Sequence, residues 1–135
     1  MVFDICGEMK LDEINENDLT VRVRLARKLI KQYIEGLKSL MKNGIYLEIL
    51  LEDSIRINQD TQELYILDFP FGLDGPEIRV GSGLFSYYSS SETILRTPFL
   101  PENAMVWSIG VLLYKLIYNR YPFSSNLAHN KATAR

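Results

Sequence analysis

The chain has 135 residues, 15 Lys and Arg against 17 Asp and Glu, a formal net charge of −2 and one His. That length suits one domain, and 47% hydrophobic with 24% charged residues excludes disordered, collagen-like and low-complexity classes. The slightly acidic balance lacks the clustered Lys and Arg that phosphate contacts require, so no nucleic-acid partner is expected.

Residues 1–5 form a short apolar stretch ended by Cys6-Gly7, the pattern of a strand entering a turn. Cys6 has no second cysteine to pair with. With His129 distant in sequence, it builds neither a zinc site nor a thiol dyad. A reducing, cytoplasmic compartment is expected, and the first residues lack the basic start and long apolar run of a signal peptide. Residues 11–17 are acidic and short, and Asp18 and Thr20 then offer N-caps for the next element. Over 21–42 the apolar positions Leu25, Leu29, Tyr33, Leu37 and Met41 recur at helical spacing, joined by Ala26, Ile30, Ile34 and Leu40. Arg24, Arg27, Lys28 and Lys31 lie on the other side and read as a solvated face rather than an anion site. Asn43-Gly44 ends this helix, since Gly tolerates the left-handed conformation of a C-cap.

Two short strands, Ile55-Arg56-Ile57 and residues 64–67, flank the polar run 58–63 and predict one small β-hairpin. Asp68-Phe69-Pro70-Phe71-Gly72 breaks the second strand, and residues 72–91, rich in Gly, Ser and Tyr, read as a long loop. Residues 104–118 are apolar at 12 of 15 positions, the composition of a buried helix. With Lys115 inside, that segment is too short for a bilayer, so no membrane partner is expected. Asn119 to Phe123 stops the helix, and a polar tail over 125–135 follows.

The succession of strand, long helix, Asn-Gly-Ile turn, hairpin, Leu67-Asp68-Phe69, loop with Glu92, and Val106-Trp107-Ser108-Ile109-Gly110 in an apolar helix ending Tyr121-Pro122-Phe123 resembles the C-terminal lobe of a eukaryotic protein kinase. The resemblance covers residues 1–124, from hinge strand to large buried helix. Its nearest look is to the Pim-like Ser/Thr kinases of the calmodulin-kinase group, whose Tyr-Ser-Pro-Pro-Glu is similar to Tyr88-Ser89-Ser90-Ser91-Glu92. It implies a mainly α, α+β fold: a truncated kinase-like lobe with one hairpin. The Gly-rich loop and phosphate-binding Lys of the family would precede residue 1.

Kinase chemistry needs an Asp to accept the substrate's hydroxyl proton, a Lys at the transferring phosphoryl group, and an Asn and an Asp for Mg²⁺. The resemblance puts Leu47-Glu48-Ile49 where the family has His-Arg-Asp, Leu51 where it has the Lys, and Ser54 where it has the Asn. Ile49 lies nineteen positions before Asp68, a spacing that suits the family. Asp68-Phe69-Pro70 replaces Asp-Phe-Gly, leaving Asp68 as a vestigial metal ligand or simply a turn-forming acid. Gly81-Ser82-Gly83 begins like a phosphate-binding motif, but Ser86 takes the place of the third Gly. Glu92 matches a structural acid of the family, and Met105 replaces the acid that normally precedes Val-Trp-Ser. Tyr87, Tyr88, Ser89, Ser90 and Ser91 are candidate phosphate acceptors, or merely the composition of a polar loop.

The expectation is a catalytically inactive kinase-like module, a pseudokinase, without a bound cofactor, that works through a protein partner or self-association. The rivals are a piece of a working Ser/Thr kinase, which would use ATP and magnesium, and the product of a decaying gene copy. Val111, Leu112, Leu116 and Ile117 cannot all point at one neighbouring helix, so some are expected to face solvent.

Overall fold

A computed structural model describes residues 8–67, 72–84 and 86–123. The strand read over 1–5, Cys6, Asp68-Phe69-Pro70 and the tail over 125–135 fall outside these residues. The described chain is a mixed α+β fold. Strand β1 (Glu8–Met9) is followed by a tight single turn (Leu11–Glu13) and then by α1 (Leu19–Lys42). Next come β2 (Ile45–Leu47), a second tight turn (Glu52–Ser54), β3 (Ile55–Asn58) and β4 (Leu64–Ile66). The remaining elements are β5 (Gly72–Asp74), β6 (Arg79–Val80), α2 (Ser91–Leu95), β7 (Pro98–Phe99) and α3 (Pro101–Tyr118).

Of the two candidate N-caps for α1, the chain uses Asp18, whose carboxylate accepts the Val21 N–H at 3.1 Å. The helix therefore begins at Leu19, two residues before the start expected at residue 21. At the other end Asn43 caps it and Gly44 adopts a left-handed φ of +77°. The expected stripe is the buried one, with Ala26, Leu29, Tyr33 and Leu37 all in the core, while Arg24, Arg27, Lys28 and Lys31 are exposed. Lys28 nevertheless has a structural partner, donating to the Thr61 carbonyl at 3.1 Å. Gln32 likewise accepts from Leu64 N–H at 2.9 Å and donates to the Gln62 carbonyl at 2.9 Å, so α1 carries the β3–β4 turn on its flank.

Among the described residues the one expected hairpin becomes three small antiparallel sheets. In the first, β1, β3 and β4 pair in that order, with Met9 opposite Ile57 and Ile55 opposite Ile66. In the second, β2 pairs with β5; in the third, β6 pairs with β7. The stretch 72–91 is thus not one loop, because two- and three-residue strands inside it pair with distant segments. Such strands are too short to leave a periodicity in sequence.

Helix α3 crosses α1 and also packs on β2. The expectation that some of Val111, Leu112, Leu116 and Ile117 face solvent is corrected. The first three are buried and Ile117 is half-buried, because α1 covers only part of the helix and the β2 region covers the next sector. The solvent-facing apolar residues are instead Val106, 60% exposed, and Tyr118, 53% exposed. At the crossing the Tyr33 hydroxyl lies 2.9 Å from Ser108 Oγ, which donates to the Met105 carbonyl at 2.7 Å. Burial pushes the Tyr33 phenol up from its ordinary value, so it stays neutral. Near the start of α1, buried Arg22 donates from Nε to the Ile117 carbonyl (3.0 Å) and from its guanidinium to the Glu16 carbonyl (2.9 Å).

Two substitutions separate packing from polar fastening at this crossing. Leu112→Ala should cost about 2–5 kcal/mol through the cavity it leaves. Tyr33→Phe should cost about 1 kcal/mol, since Ser108 keeps the Met105 carbonyl as its acceptor. Urea unfolding curves of both variants measure the difference.

Candidate functional site

The positions that the resemblance assigns to chemistry begin at the end of β2. Leu47, Glu48, Ile49 and Leu50 run consecutively and are all buried, and Leu47 and Leu50 belong to the main apolar core. Ile49, 5% exposed, presents an alkyl group with no proton-accepting atom. Leu51 N-caps the turn Glu52–Ser54 and is half-buried, whereas Ser54 is buried and its carbonyl accepts the Leu67 N–H at 2.7 Å. Asp68 cannot be placed beside them, because it lies outside the described residues. Among the described residues, no group of three or more His, Cys, Asp or Glu could hold a metal ion.

Glu48 has a definite structural task. Its carboxylate accepts the Ser82 N–H at 2.8 Å and fastens the segment after β6 to the end of β2. The glycines on either side of Ser82 are explained by close approach to α2. A Cβ on Gly81 would stand 2.3 Å from the Glu92 carbonyl oxygen, and Gly83 has φ +79° with its N–H donating to the Thr93 carbonyl. Both are needed for packing, which accounts for Gly81-Ser82-Gly83 without a phosphate.

The serines that follow bond internally. Ser86 Oγ donates to the Leu50 carbonyl at 2.9 Å and accepts the Tyr88 N–H, while Ser89 Oγ accepts the Ser86 N–H at 2.9 Å. Ser90 N-caps α2, accepting from Thr93 N–H at 3.3 Å. Of the five candidate phosphate acceptors, Tyr88, Ser89 and Ser90 are buried, Ser91 is half-buried and Tyr87 is exposed. Leu51, Glu52, Ser86, Tyr87 and Tyr88 together line a pocket of about 240 Å³.

Glu92 is exposed on α2 and lines a groove of about 420 Å³ with Ile78, Pro98, Leu100, Asn103 and Trp107. Trp107 also borders a second hollow of about 260 Å³ with Val106, Tyr114 and Phe123, and its ring stacks on Phe123 at 5.5 Å. Met105 is 2% exposed in the main core, a setting where a carboxylate would bear a large desolvation cost.

One cluster went unread in the sequence. Lys115 Nζ, buried in α3, lies 3.1 Å from Asp12 Oδ1, the Tyr121 hydroxyl donates to Glu52, and Tyr87 stacks on Tyr121 at 4.1 Å. The four charged or hydroxyl groups come from distant parts of the chain, so no spacing links them. The available signal was a lone Lys in an otherwise apolar helix, which needs an acid nearby.

The sequence model described as "Protein kinase domain" matches residues 1–135, so the chain belongs to the protein kinase domain family. Its relatives include sperm motility kinase 2A of Mus musculus, 25% identical over 128 residues that make up 93% of this chain and 25% of that protein. Serine/threonine-protein kinase ppk25 of Schizosaccharomyces pombe is 29% identical over 113 residues, 79% of this chain and 26% of that one. Serine/threonine-protein kinase pim-2 of Danio rerio is 29% identical over 110 residues, 76% and 33% of the respective lengths. The chain thus spans about a quarter to a third of the length of these relatives.

The Glu48 bond predicts an acceptor requirement rather than a charge requirement. Glu48→Gln should leave stability nearly unchanged, while Glu48→Ala should cost about 1 kcal/mol and hasten proteolytic cleavage near Ser82. Limited proteolysis of the two variants beside wild type checks both.

Proposed function

We propose that this chain is a catalytically inactive, Pim-like member of the protein kinase family that acts by binding another protein or a second copy of itself. In this reading residues 1–124 correspond to the family's C-terminal lobe, followed by a polar tail over 125–135. The observation that carries it is Ile49. A buried alkyl side chain stands at the proton-accepting position, and Leu51 and Ser54 replace the phosphate Lys and the metal-binding Asn. Glu48, in place of the family's Arg, accepts a backbone N–H instead. Asp68 would be a turn-forming acid rather than a working magnesium ligand, and the chain would use neither ATP nor a metal.

A protein partner is favoured by the apolar surface around Trp107. Ile78 is 68% exposed and Val106 60%, and they border, one each, the two hollows that meet at the indole. No helix among the described residues is long and apolar enough to cross a membrane. Together with the single Cys6 and the acidic balance, this favours a cytoplasmic protein without membrane or nucleic-acid partners.

A second reading makes the chain part of a working Ser/Thr kinase, favoured by relatives that bear that name and of whose length the match covers 26% and 33%. Phosphate incorporation from γ-labelled ATP into generic Ser/Thr peptides, with Mg²⁺ or Mn²⁺, decides between them. No turnover above an Asp68→Ala control is expected; turnover above it would establish the second reading. Sedimentation at micromolar concentration with a dye for apolar surface tests the partner. Self-association or dye binding reduced by Val106→Asp is expected, and a compact, dye-silent monomer would refute it.

A further inference from the structure

The cluster around Glu52 has no part in the reading above. Four segments converge on it. Asp12 comes from the Leu11–Glu13 turn, Glu52 from the turn before β3, Lys115 from the end of α3 with Tyr121 just beyond, and Tyr87 and Tyr88 from the loop before α2. Tyr121 is the hub. Its hydroxyl donates to Glu52 Oε2, its ring stacks on Tyr87 (4.1 Å between centroids, 8° between planes), and Tyr88 meets it edge-on at 5.8 Å. The Lys115 ammonium lies 4.4 Å from the same ring centroid and 3.1 Å from Asp12 Oδ1.

Glu52 Oε1 is buried and receives no N–H or O–H; the Asp12 carboxyl lies within hydrogen-bonding reach of the Glu52 carboxyl, and Lys115 and Tyr88 also bear on it electrostatically. Two facing carboxyl groups attract each other only while one holds a proton. As an acid, Glu52 can donate to Asp12 through Oε1 while Oε2 accepts from Tyr121. As a carboxylate it loses the first bond and repels Asp12, leaving one Lys115 against two negative charges.

We propose that a proton on Glu52 acts as a clasp, holding residues 119–123 and the loop side chains Tyr87 and Tyr88 over the Glu52–Ser54 turn, and that the clasp opens as this proton is lost. Burial, first, and then Asp12 push the Glu52 carboxyl above the ordinary glutamate range, while Tyr121 and Lys115 pull it down. Because its titration is raised in the folded chain, the stabilisation is complete below the ordinary glutamate value and is lost as pH rises through the elevated one. The other groups facing the cluster do not mimic this. Burial drives the Tyr33, Tyr88 and Tyr121 hydroxyls upward from about 10, away from neutrality. Opening would separate Tyr87 from Tyr121 and widen the pocket that Glu52, Ser86, Tyr87 and Tyr88 line.

The test is proton NMR of the Tyr87 and Tyr121 rings from about pH 4 to pH 8, a range that begins near the ordinary glutamate value. Wild type should lose the mutual ring-current shift in a single transition as the pH rises. Glu52→Gln should show no transition, since its amide can donate to Asp12 and accept from Tyr121 at every pH. Asp12→Asn should move the transition to lower pH, because the facing amide can donate to the carboxylate. A wild-type spectrum that is constant over the range, or a transition that survives in Glu52→Gln, would overturn the proposal. Should Glu52→Gln fail to fold, an unmoved midpoint in Asp12→Asn overturns it equally.

Discussion

The arrangement of the chain depends on one crossing, where Tyr33 of α1 meets Ser108 of α3. Tyr33 and Leu112 are fully buried, and the polar atoms between the helices are satisfied by a short relay from phenol to serine to the Met105 carbonyl. A buried hydroxyl pair of this kind fixes one rotational setting of the two helices, whereas an all-apolar contact would tolerate several. Everything else takes its place from that setting. The β3–β4 turn rests on α1 through Lys28 and Gln32, β2 packs against both helices, and Arg22 locks the start of α1 to the end of α3.

Much of this was legible in the sequence because long helices repeat their pattern many times. The α1 stripe from Ala26 to Leu37, its Asp18 cap and its Asn43-Gly44 stop are local signals, and the hairpin strands carry Ile55, Ile57 and Leu64 at the right alternation. What escaped was non-local. β5 and β6 are three and two residues long and exist only because Leu47 and Phe99 bring partners to them. The sector of α3 that is covered depends on β2, which a helix-only view of residues 104–118 could not supply.

At the candidate site, legibility ran the other way. That Ile49 carries no carboxylate could be read directly, in any fold. What the neighbouring side chains do could not. Leu47 and Leu50 belong to the core, and Glu48 anchors a neighbouring segment, so this stretch holds the fold together. The Gly81-Ser82-Gly83 motif shows the same ambiguity. Glycine meets a crowded backbone and a phosphate equally well, and only the position of Glu92 behind Gly81 distinguishes the two.

The polar bonds that close the core join residues far apart in sequence: Arg22 to Ile117, 95 positions on, and Tyr33 to Ser108, 75 positions on. Chain synthesis therefore delivers α1 long before the helix that covers it. Until α3 emerges, the Leu29, Tyr33 and Leu37 face lacks the helix that covers it, and loop-closure entropy must be met before the long-range contacts form. Nascent chains of this topology spend an extended interval with apolar surface uncovered. Chaperones and proteases act on such uncovered surface, so the order of synthesis as well as the stability of the finished fold bears on how much of a chain like this is kept.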